Sequence, residues 1–478
     1  MSERVTCDLC VIGAGSGGLS VAAAAAQLGA KVVLIEKARL GGDCLWTGCV
    51  PSKALIAAGR RAHAMRTPKA FGIAPVAPNV NAKGVVQHIQ SVIQAIEPND
   101  SVERFTGLGV KVIQDAGRFV DRTTVEAGDY EIKARTFVIA SGSSPAVPPI
   151  PGLETVPYLT NETIFSVADR IDHLVVVGGG PIGLEVAQAH LRLGARVTVI
   201  EAMTALGKDD AELTHPLVET LRREGMVIGE GVKVDGVAPR EGGGVRVAVS
   251  GNGESQVLDA SHLLIATGRR PVTDGLGLEQ AGIKFDRTGI KVSSRLLTSN
   301  ARVYAIGDVA GGPQFTHVAS YHAGIVIRRA LFRLPAKVDP NVIPRVTFTD
   351  PELAHVGLRE EDARKLYGSR INVLRWPYAE NDRAQAEHAT EGFVKVITKR
   401  NGRILGASIL GAEAGELIHV WSLAISAGLK IGAMAQYVAP YPTLGEINRR
   451  VATSFFQARI GSPWVRLATR LLGGVRGG

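Results

Sequence analysis

Cys44 and Cys49 lie in the stretch Gly41-Gly42-Asp43-Cys44-Leu45-Trp46-Thr47-Gly48-Cys49-Val50-Pro51-Ser52-Lys53, directly after a strand-loop-helix-strand unit. A pair with this spacing at the start of a helix can close a small ring. Helix N-terminal amides and a nearby cation lower a thiol pKa from about 8.5 toward neutrality. A thiolate is then available at physiological pH, and the pair reads as a redox-active disulfide. Zinc would require two further ligands at comparable spacing. The only other cysteines, Cys7 and Cys10, fall on a predicted strand, and no metal site is assigned.

The elements that must position this pair are legible around it. Leu9-Cys10-Val11-Ile12 reads as a buried strand running into Gly13-Ala14-Gly15-Ser16-Gly17-Gly18, an Ala-rich helix, and a strand Lys31–Ile35 that ends at Glu36. This is the dinucleotide fingerprint in its required context. Gly13, Gly15 and Gly18 allow a tight turn and close approach of a pyrophosphate to a helix N-terminus, and Glu36 is placed to accept ribose hydroxyls. The unit recurs as Leu174–Val177, then Gly178-Gly179-Gly180-Pro181-Ile182-Gly183, a helix, and Arg196–Ile200 ending at Glu201. Gly13 and Gly178 are 165 residues apart, as are Glu36 and Glu201. Two such units imply two dinucleotides, and a dithiol between them makes one flavin and one nicotinamide the economical assignment. Phe137–Pro145 and Leu263–Pro271 each put a buried strand before a small-residue turn and a proline, as where chain passes between lobes. Val303–Ile306 is a further strand, ending at Gly307-Asp308. Gly142, Gly268, Asp308 and His317 complete the cofactor-binding set, with Asp308 suited to the sugar-alcohol chain of a flavin.

At 478 residues the chain suggests about three domains. Four cysteines do not make a disulfide-stapled secreted protein, so a cytoplasmic home is expected. No apolar run of about 18 residues and no signal peptide is found. The formal charge of +9 is local: residues 449–478 hold six Arg and no acid, so nucleic acid is not an expected partner. The tail segment Trp464–Leu472 reads as a short basic amphipathic helix able to touch an anionic membrane, or as a tail packed on its own protein.

Together, Gly13–Gly18, the Cys44/Cys49 box, Gly178–Gly183, Ala266-Thr267-Gly268 and Ala305-Ile306-Gly307-Asp308 resemble the class I pyridine nucleotide-disulfide oxidoreductases, the family of dihydrolipoamide dehydrogenase, glutathione reductase and mercuric reductase. Val346–Gly357 resembles the opening of that family's C-terminal dimerisation domain. The resemblance implies an α/β fold, with two Rossmann-like dinucleotide-binding domains plus a C-terminal α+β dimerisation domain. It implies an FAD domain at 1–150, an NAD(P) domain at 151–272, a return to the FAD side at 273–340, an interface domain at 341–460 and a basic tail at 461–478. It also implies a homodimer in which the partner's C-terminal domain completes each active site. Hydride would pass from nicotinamide to flavin, and the electron pair would then reduce Cys44–Cys49. By position in the box, Cys49 would face the flavin as thiolate and Cys44 would be the interchange thiol. Lys53 and Glu185 have family counterparts that form an ion pair near the flavin ring.

The chain departs from the pattern near its C-terminus. Disulfide-reducing branches carry His-Pro-Thr there, with a glutamate five residues after the histidine, so that imidazole shuttles a proton to the interchange thiol. This sequence reads Pro440-Tyr441-Pro442-Thr443-Leu444-Gly445-Glu446. Glu446 is retained, but Tyr441, with a reference pKa near 10, is a poor base at neutral pH. Mercuric reductases have tyrosine at this place, although they usually end in a vicinal cysteine pair and some carry an N-terminal metal-binding module. Neither is present here. The expectation is a mercuric-reductase-like enzyme passing electrons from NADH to a small thiol/disulfide or metal-thiol acceptor, with dihydrolipoamide dehydrogenase as the alternative and a membrane-surface electron-transfer protein as a third. NADH is expected over NADPH, because Glu201 ends the second strand and Ala202–Ala205 supplies no Arg to meet a 2′-phosphate.

Overall fold

The computed structural model describes residues 3–460 and 463–474. The chain divides into two compact units, one comprising Met1–Thr204 and Met226–Asp339, the other Ala205–Gly225 and Pro340–Gly478. In the first unit, strand Glu3–Ile12 is central to a seven-stranded sheet, paired in parallel with Val32–Ile35 on one side and Tyr130–Ile139 on the other. Val303–Ala305 also pairs in parallel with Tyr130–Ile139, so the chain returns to the first sheet after building a second. Leu9 and Val11 enter one buried cluster while Cys10 and Ile12 enter another, because a parallel sheet is covered on both faces. That double burial explains the continuous apolar run in the sequence.

The second sheet is four parallel strands in the order Val227–Glu230, Arg196–Glu201, His173–Val177 and His262–Ile265. An antiparallel three-stranded sheet, Val232–Pro239, Val245–Gly251 and Glu254–Ala260, leads into its last strand. Mixed α/β architecture with two repeated nucleotide-type units is therefore present as expected.

The second unit is built on a five-stranded antiparallel sheet, ordered Arg345–Thr347, Glu352–Gly357, Ile404–Gly411, Phe393–Lys399 and Ile371–Pro377. Helices His419–Ser426 and Glu446–Ile460 cover it through Trp421, Ile447, Val451 and Phe455. Segment 205–225 is part of this unit although its sequence follows the second nucleotide repeat. Its helix Ala211–Arg223 is tied in by charge: the Lys395 ammonium, 2% exposed, lies 2.7 Å from each of Asp210, Glu212 and Glu360. A buried ammonium without such partners would be strongly destabilising. Hydrogen bonding by Arg375, aided by Lys395, holds the Glu212 carboxyl at a pKa of about 2.

Candidate active site

The two glycine loops share their internal bonding atom for atom. The Glu36 carboxylate accepts the backbone N–H groups of Ala14 at 2.7 Å and Ala38 at 2.9 Å. That of Glu201 accepts Gly179 at 2.8 Å and Met203 at 2.9 Å, residues at the same offsets. Each acid thus shapes its own loop, and each carboxylate oxygen retains a second lone pair for a sugar hydroxyl. Gly13 (φ +101) and Gly178 (φ +116) need glycine twice over, because a Cβ on either would stand 2.4 Å from a carbonyl oxygen, of Ala140 and Ala266 respectively. Helices Ser16–Gln27 and Pro181–Arg192 begin at Gly15 and Gly180, and no side chain caps either. Their first-turn N–H groups are not taken up by a capping side chain, and nothing lies within 4 Å of a Cβ built on Gly180. Helix N-termini without a side-chain cap fit a pyrophosphate at both positions. A small cleft opens at the second loop, lined by Asn161, Ile182, Val186, Ala266, Gly268 and Arg269. It lies at the carboxyl ends of parallel strands, where α/β sheets bind ligands.

Cys44 sits in the short helix Gly42–Trp46, and Cys49 begins the separate helix Cys49–Arg66. Both are thiols in this structure, Cys49 exposed and Cys44 half-buried. The pair shares one proton unequally. A hydrogen bond from Cys44, reinforced by the Thr316 hydroxyl 3.3 Å from the sulfur and by the Lys53 charge, lowers the Cys49 pKa to about 6. The same bond, with burial, pushes the Cys44 thiol far upward. Lys53, one turn after Cys49, donates to Glu185 at 2.7 Å, and the Glu185 side chain is 7% exposed. The expected ion pair is present, linking the cysteine helix to the second glycine-loop helix.

A network not anticipated from sequence braces the cysteine loop. The Asp43 carboxylate accepts from the Thr47 hydroxyl at 2.6 Å and the Asn161 amide at 3.1 Å, and pairs with Arg269 at 3.2 Å. Arg269, following Gly268, also donates to the Ser143 hydroxyl (2.7 Å) and carbonyl (2.9 Å). Ser143 in turn donates to Asp308 at 2.5 Å. Burial pushes the Asp308 carboxyl up, against the opposing pull of Ser143 and Arg269. His322, buried and neutral because burial lowers its pKa to about 4, accepts the Gly307 N–H and fixes the turn that presents Asp308. His317 stacks on Phe315, with ring centroids 5.3 Å apart. Gly142 has φ +70 and Gly268 φ +122, with open space beside both. Asp43 stands inside the cysteine box and Arg269 just after the second small-residue turn. Only a carboxylate-guanidinium pairing rule across 226 residues would have joined them, and local sequence contains none.

In the second unit, Tyr441 is 66% exposed and its hydroxyl donates to Asp382 at 2.8 Å, which raises its pKa further. Glu446 is buried and accepts from Arg450 at 3.1 Å, with Arg449 at 3.8 Å. The bond between Trp421 Nε1 and Asn448 at 2.7 Å anchors the first turn of that helix. The phenol and the glutamate are thus engaged by different partners.

Two nucleotide cradles and a dithiol with one member held as thiolate define a two-nucleotide dithiol oxidoreductase. Residues 7–323 match the pyridine nucleotide-disulphide oxidoreductase family and residues 343–452 its dimerisation domain. The chain belongs to that family, whose members are FAD-binding enzymes that use NAD(P)H, and the dimerisation domain supports a homodimer. It is 35% identical to a mercuric reductase of Bacillus cereus over 92% of this chain and 70% of that one. It is 37% identical to a dihydrolipoyl dehydrogenase of Bacillus subtilis (strain 168), over 95% of this chain and 97% of that one. Among solved structures it superposes on the HOCl-induced flavoprotein disulfide reductase RclA from Escherichia coli with a TM-score of 0.83, 28% identity, and coverage of 93% and 99%. No helix among the described residues is long and apolar enough to cross a membrane.

Proposed function

We propose that this enzyme oxidises NADH and delivers the electron pair through FAD to Cys44–Cys49, and from there to a soft metal-thiol complex or another small acceptor that needs no proton shuttle. The observation behind this reading is the placement of the Cys49 sulfur, 3.3 Å from the Thr316 hydroxyl and one helical turn from the Lys53–Glu185 ion pair, which favours thiolate at Cys49 over Cys44. A bound flavin would carry the electron pair from nicotinamide to the disulfide. In the reduced pair Cys49 holds the negative charge, stabilised by Lys53 and by the hydroxyl of Thr316. Cys44 keeps the proton, so its sulfur attacks an acceptor only as that proton leaves. Tyr441 cannot take it at neutral pH, since its hydroxyl is already committed to Asp382 and its pKa lies above 10. A disulfide acceptor then lacks about 10²- to 10⁴-fold of acid-base catalysis. A metal ion that itself displaces thiol protons does not.

Gly13, Gly15, Gly18, Glu36, Gly142, Asp308 and His317 are assigned to FAD, and Gly178, Gly180, Gly183, Glu201 and Gly268 to NADH. Glu201 at the end of its strand, with no Arg in Ala202–Ala205, supports the preference for the unphosphorylated cofactor.

The test is anaerobic titration with NADH followed by steady-state turnover on Hg(II)-thiol, dihydrolipoamide with NAD, glutathione disulfide and quinones. A long-wavelength thiolate-to-flavin band that vanishes in Cys49→Ser, and turnover fastest with the metal-thiol acceptor, are expected. Fast dihydrolipoamide oxidation would transfer the assignment to dihydrolipoamide dehydrogenase.

A membrane-surface contact has one observation in its favour. Helix Pro463–Gly474 exposes Trp464, Leu467, Leu471 and Leu472, and by helical spacing Arg466 and Arg470 fall on the opposite side. Arg476 lies outside the described residues. Co-sedimentation with anionic vesicles, lost in a Leu467→Asp/Leu471→Asp variant, would support that contact. Equal binding by both proteins would dismiss it.

A further inference from the structure

Asp43 lies immediately before the interchange cysteine, and its carboxylate is held from three sides. Thr47 and Asn161 bond one oxygen, and Arg269 meets the other at 3.2 Å. Asn161 also bonds the Thr47 carbonyl at 3.1 Å, which pins the residues between the two cysteines. Gly48 completes the closure, since a Cβ there would stand 2.8 Å from the Asp43 carbonyl and 2.9 Å from its carboxylate. The guanidinium side chain is 10% exposed, so it is shielded from water and its pairing with Asp43 is only weakly screened. The carboxylate is therefore held in place next to the dithiol, and although paired with Arg269 its charge disfavours thiolate at both cysteines.

We propose that Asp43, locked by Arg269, is a positioning residue that sets the redox potential of the Cys44–Cys49 couple, keeping the dithiol strongly reducing. This rests on the reading of Cys44–Cys49 as a redox-active pair. Reduction breaks the S–S bond and adds two electrons and one proton, leaving the Cys44 thiol and the Cys49 thiolate. A carboxylate nearby destabilises that thiolate product relative to the neutral disulfide, so the couple gives up its electrons more readily. Stabilising the thiolate has the opposite effect and makes the couple more oxidising. The Asp43 bonds also fix the loop that holds the sulfurs within reach of each other, which favours ring closure.

The experiment equilibrates the purified FAD-loaded enzyme with mixtures of reduced and oxidised dithiothreitol, in which the small dithiol closes its own ring as it delivers two electrons to the protein. Acid quenching, alkylation and mass spectrometry then read the fraction of reduced Cys44–Cys49. Asp43→Asn should shift the equilibrium about tenfold toward the dithiol, which is about 30 mV for a two-electron couple. It should also move the pH midpoint of Cys49 alkylation downward. Asp43→Glu, which keeps the charge, should recover most of both shifts. Asn161→Ala keeps the Asp43–Arg269 pair and should leave the alkylation midpoint in place, giving a second test if the Asp43 variants fold poorly. An unchanged equilibrium in Asp43→Asn, an Asp43→Glu variant no closer to the parent, or an alkylation midpoint in Asn161→Ala displaced downward from that of the parent enzyme would overturn the proposal. If the parent enzyme forms no reversible Cys44–Cys49 disulfide, the redox reading itself fails, and it does so before any variant is compared.

Discussion

Two cysteine pairs in one unit have opposite fates. Cys7 and Cys10 stand on strand Glu3–Ile12 with their side chains in the sheet core, whereas Cys44 stands in a five-residue helix and Cys49, at the surface, opens an 18-residue one. Burial pushes the Cys7 thiol up to about 12 and Cys10 well above its ordinary value. For Cys49 the neighbouring Cys44 thiol, Thr316 and Lys53 outweigh the burial penalty and bring it to about 6. Residue type is the same in all four, and donor geometry decides which one is a nucleophile. The comparison also explains why the core pair needs no strong partner: a neutral thiol is a small apolar group, and Cys7 makes only a long bond to the Lys133 carbonyl at 3.9 Å.

The largest expected effect is on alkylation. At pH 7 a thiol with a pKa of about 6 is mostly thiolate, while one near 12 is ionised about once in 10⁵ molecules. Iodoacetamide applied to the reduced enzyme should therefore label Cys49 at least about 10⁴-fold faster than Cys7 or Cys10. The Cys49 rate should fall as pH drops through about 6, because the thiolate is then protonated, and level off above it. Peptide mapping of a pH series would show this. Comparable labelling of Cys7 under native conditions would break the contrast between the pairs.

A smaller effect isolates the cation. Lys53→Met removes the positive charge that favours the Cys49 thiolate and should raise the thiol's pKa by about 1 unit, slowing alkylation at pH 6 severalfold. Since Glu185 would be left buried without that charge, a double variant Lys53→Met/Glu185→Met serves as the stable comparison. The pH-rate midpoint should move upward in both. A midpoint unmoved in the double variant would mean that Cys44 and Thr316 suffice.

How much of this was readable in advance follows range of interaction. The glycine loops, their closing acids and the cysteine box are local patterns, each fixed by a turn or a helix N-terminus within about 40 residues. The 165-residue repeat extended them to a second copy that reproduces the same hydrogen bonds. Lys53 and Glu185 were reached only through the family resemblance, because nothing local brings residues 132 positions apart into contact. Asp43 with Arg269, and Thr316 with Cys49, are pairs of the same long-range kind that no motif names, so they were missed. The membership of segment 205–225 in the second unit is likewise set at long range. Its anchor is a lysine nearly two hundred residues away, and a charged residue in a strand normally signals an exposed face.

The smallest expected effect is on the quiet pair. Cys10 is fully buried between Ile12, Val33 and Phe137, so Cys10→Ala deletes one sulfur from a packed sheet face without exposing a charge or orphaning a donor. Removing a single heavy atom of that size costs about 1–2 kcal/mol once the small cavity is included. For a domain of this size that is a fall of a few degrees in Tm. Turnover and the Cys49 alkylation rate should stay within about twofold of the parent, because the strand's pairing with Val32–Ile35 and Tyr130–Ile139 rests on backbone bonds that the substitution does not touch. Cys10→Asp should differ sharply, since a carboxyl forced into that core must either remain protonated or unfold the sheet, a cost of several kcal/mol. Calorimetry on the two variants would order them. If Cys10→Ala lowered turnover tenfold while leaving Tm unchanged, the core pair would have a redox role after all, and the contrast with Cys44 and Cys49 would be one of degree.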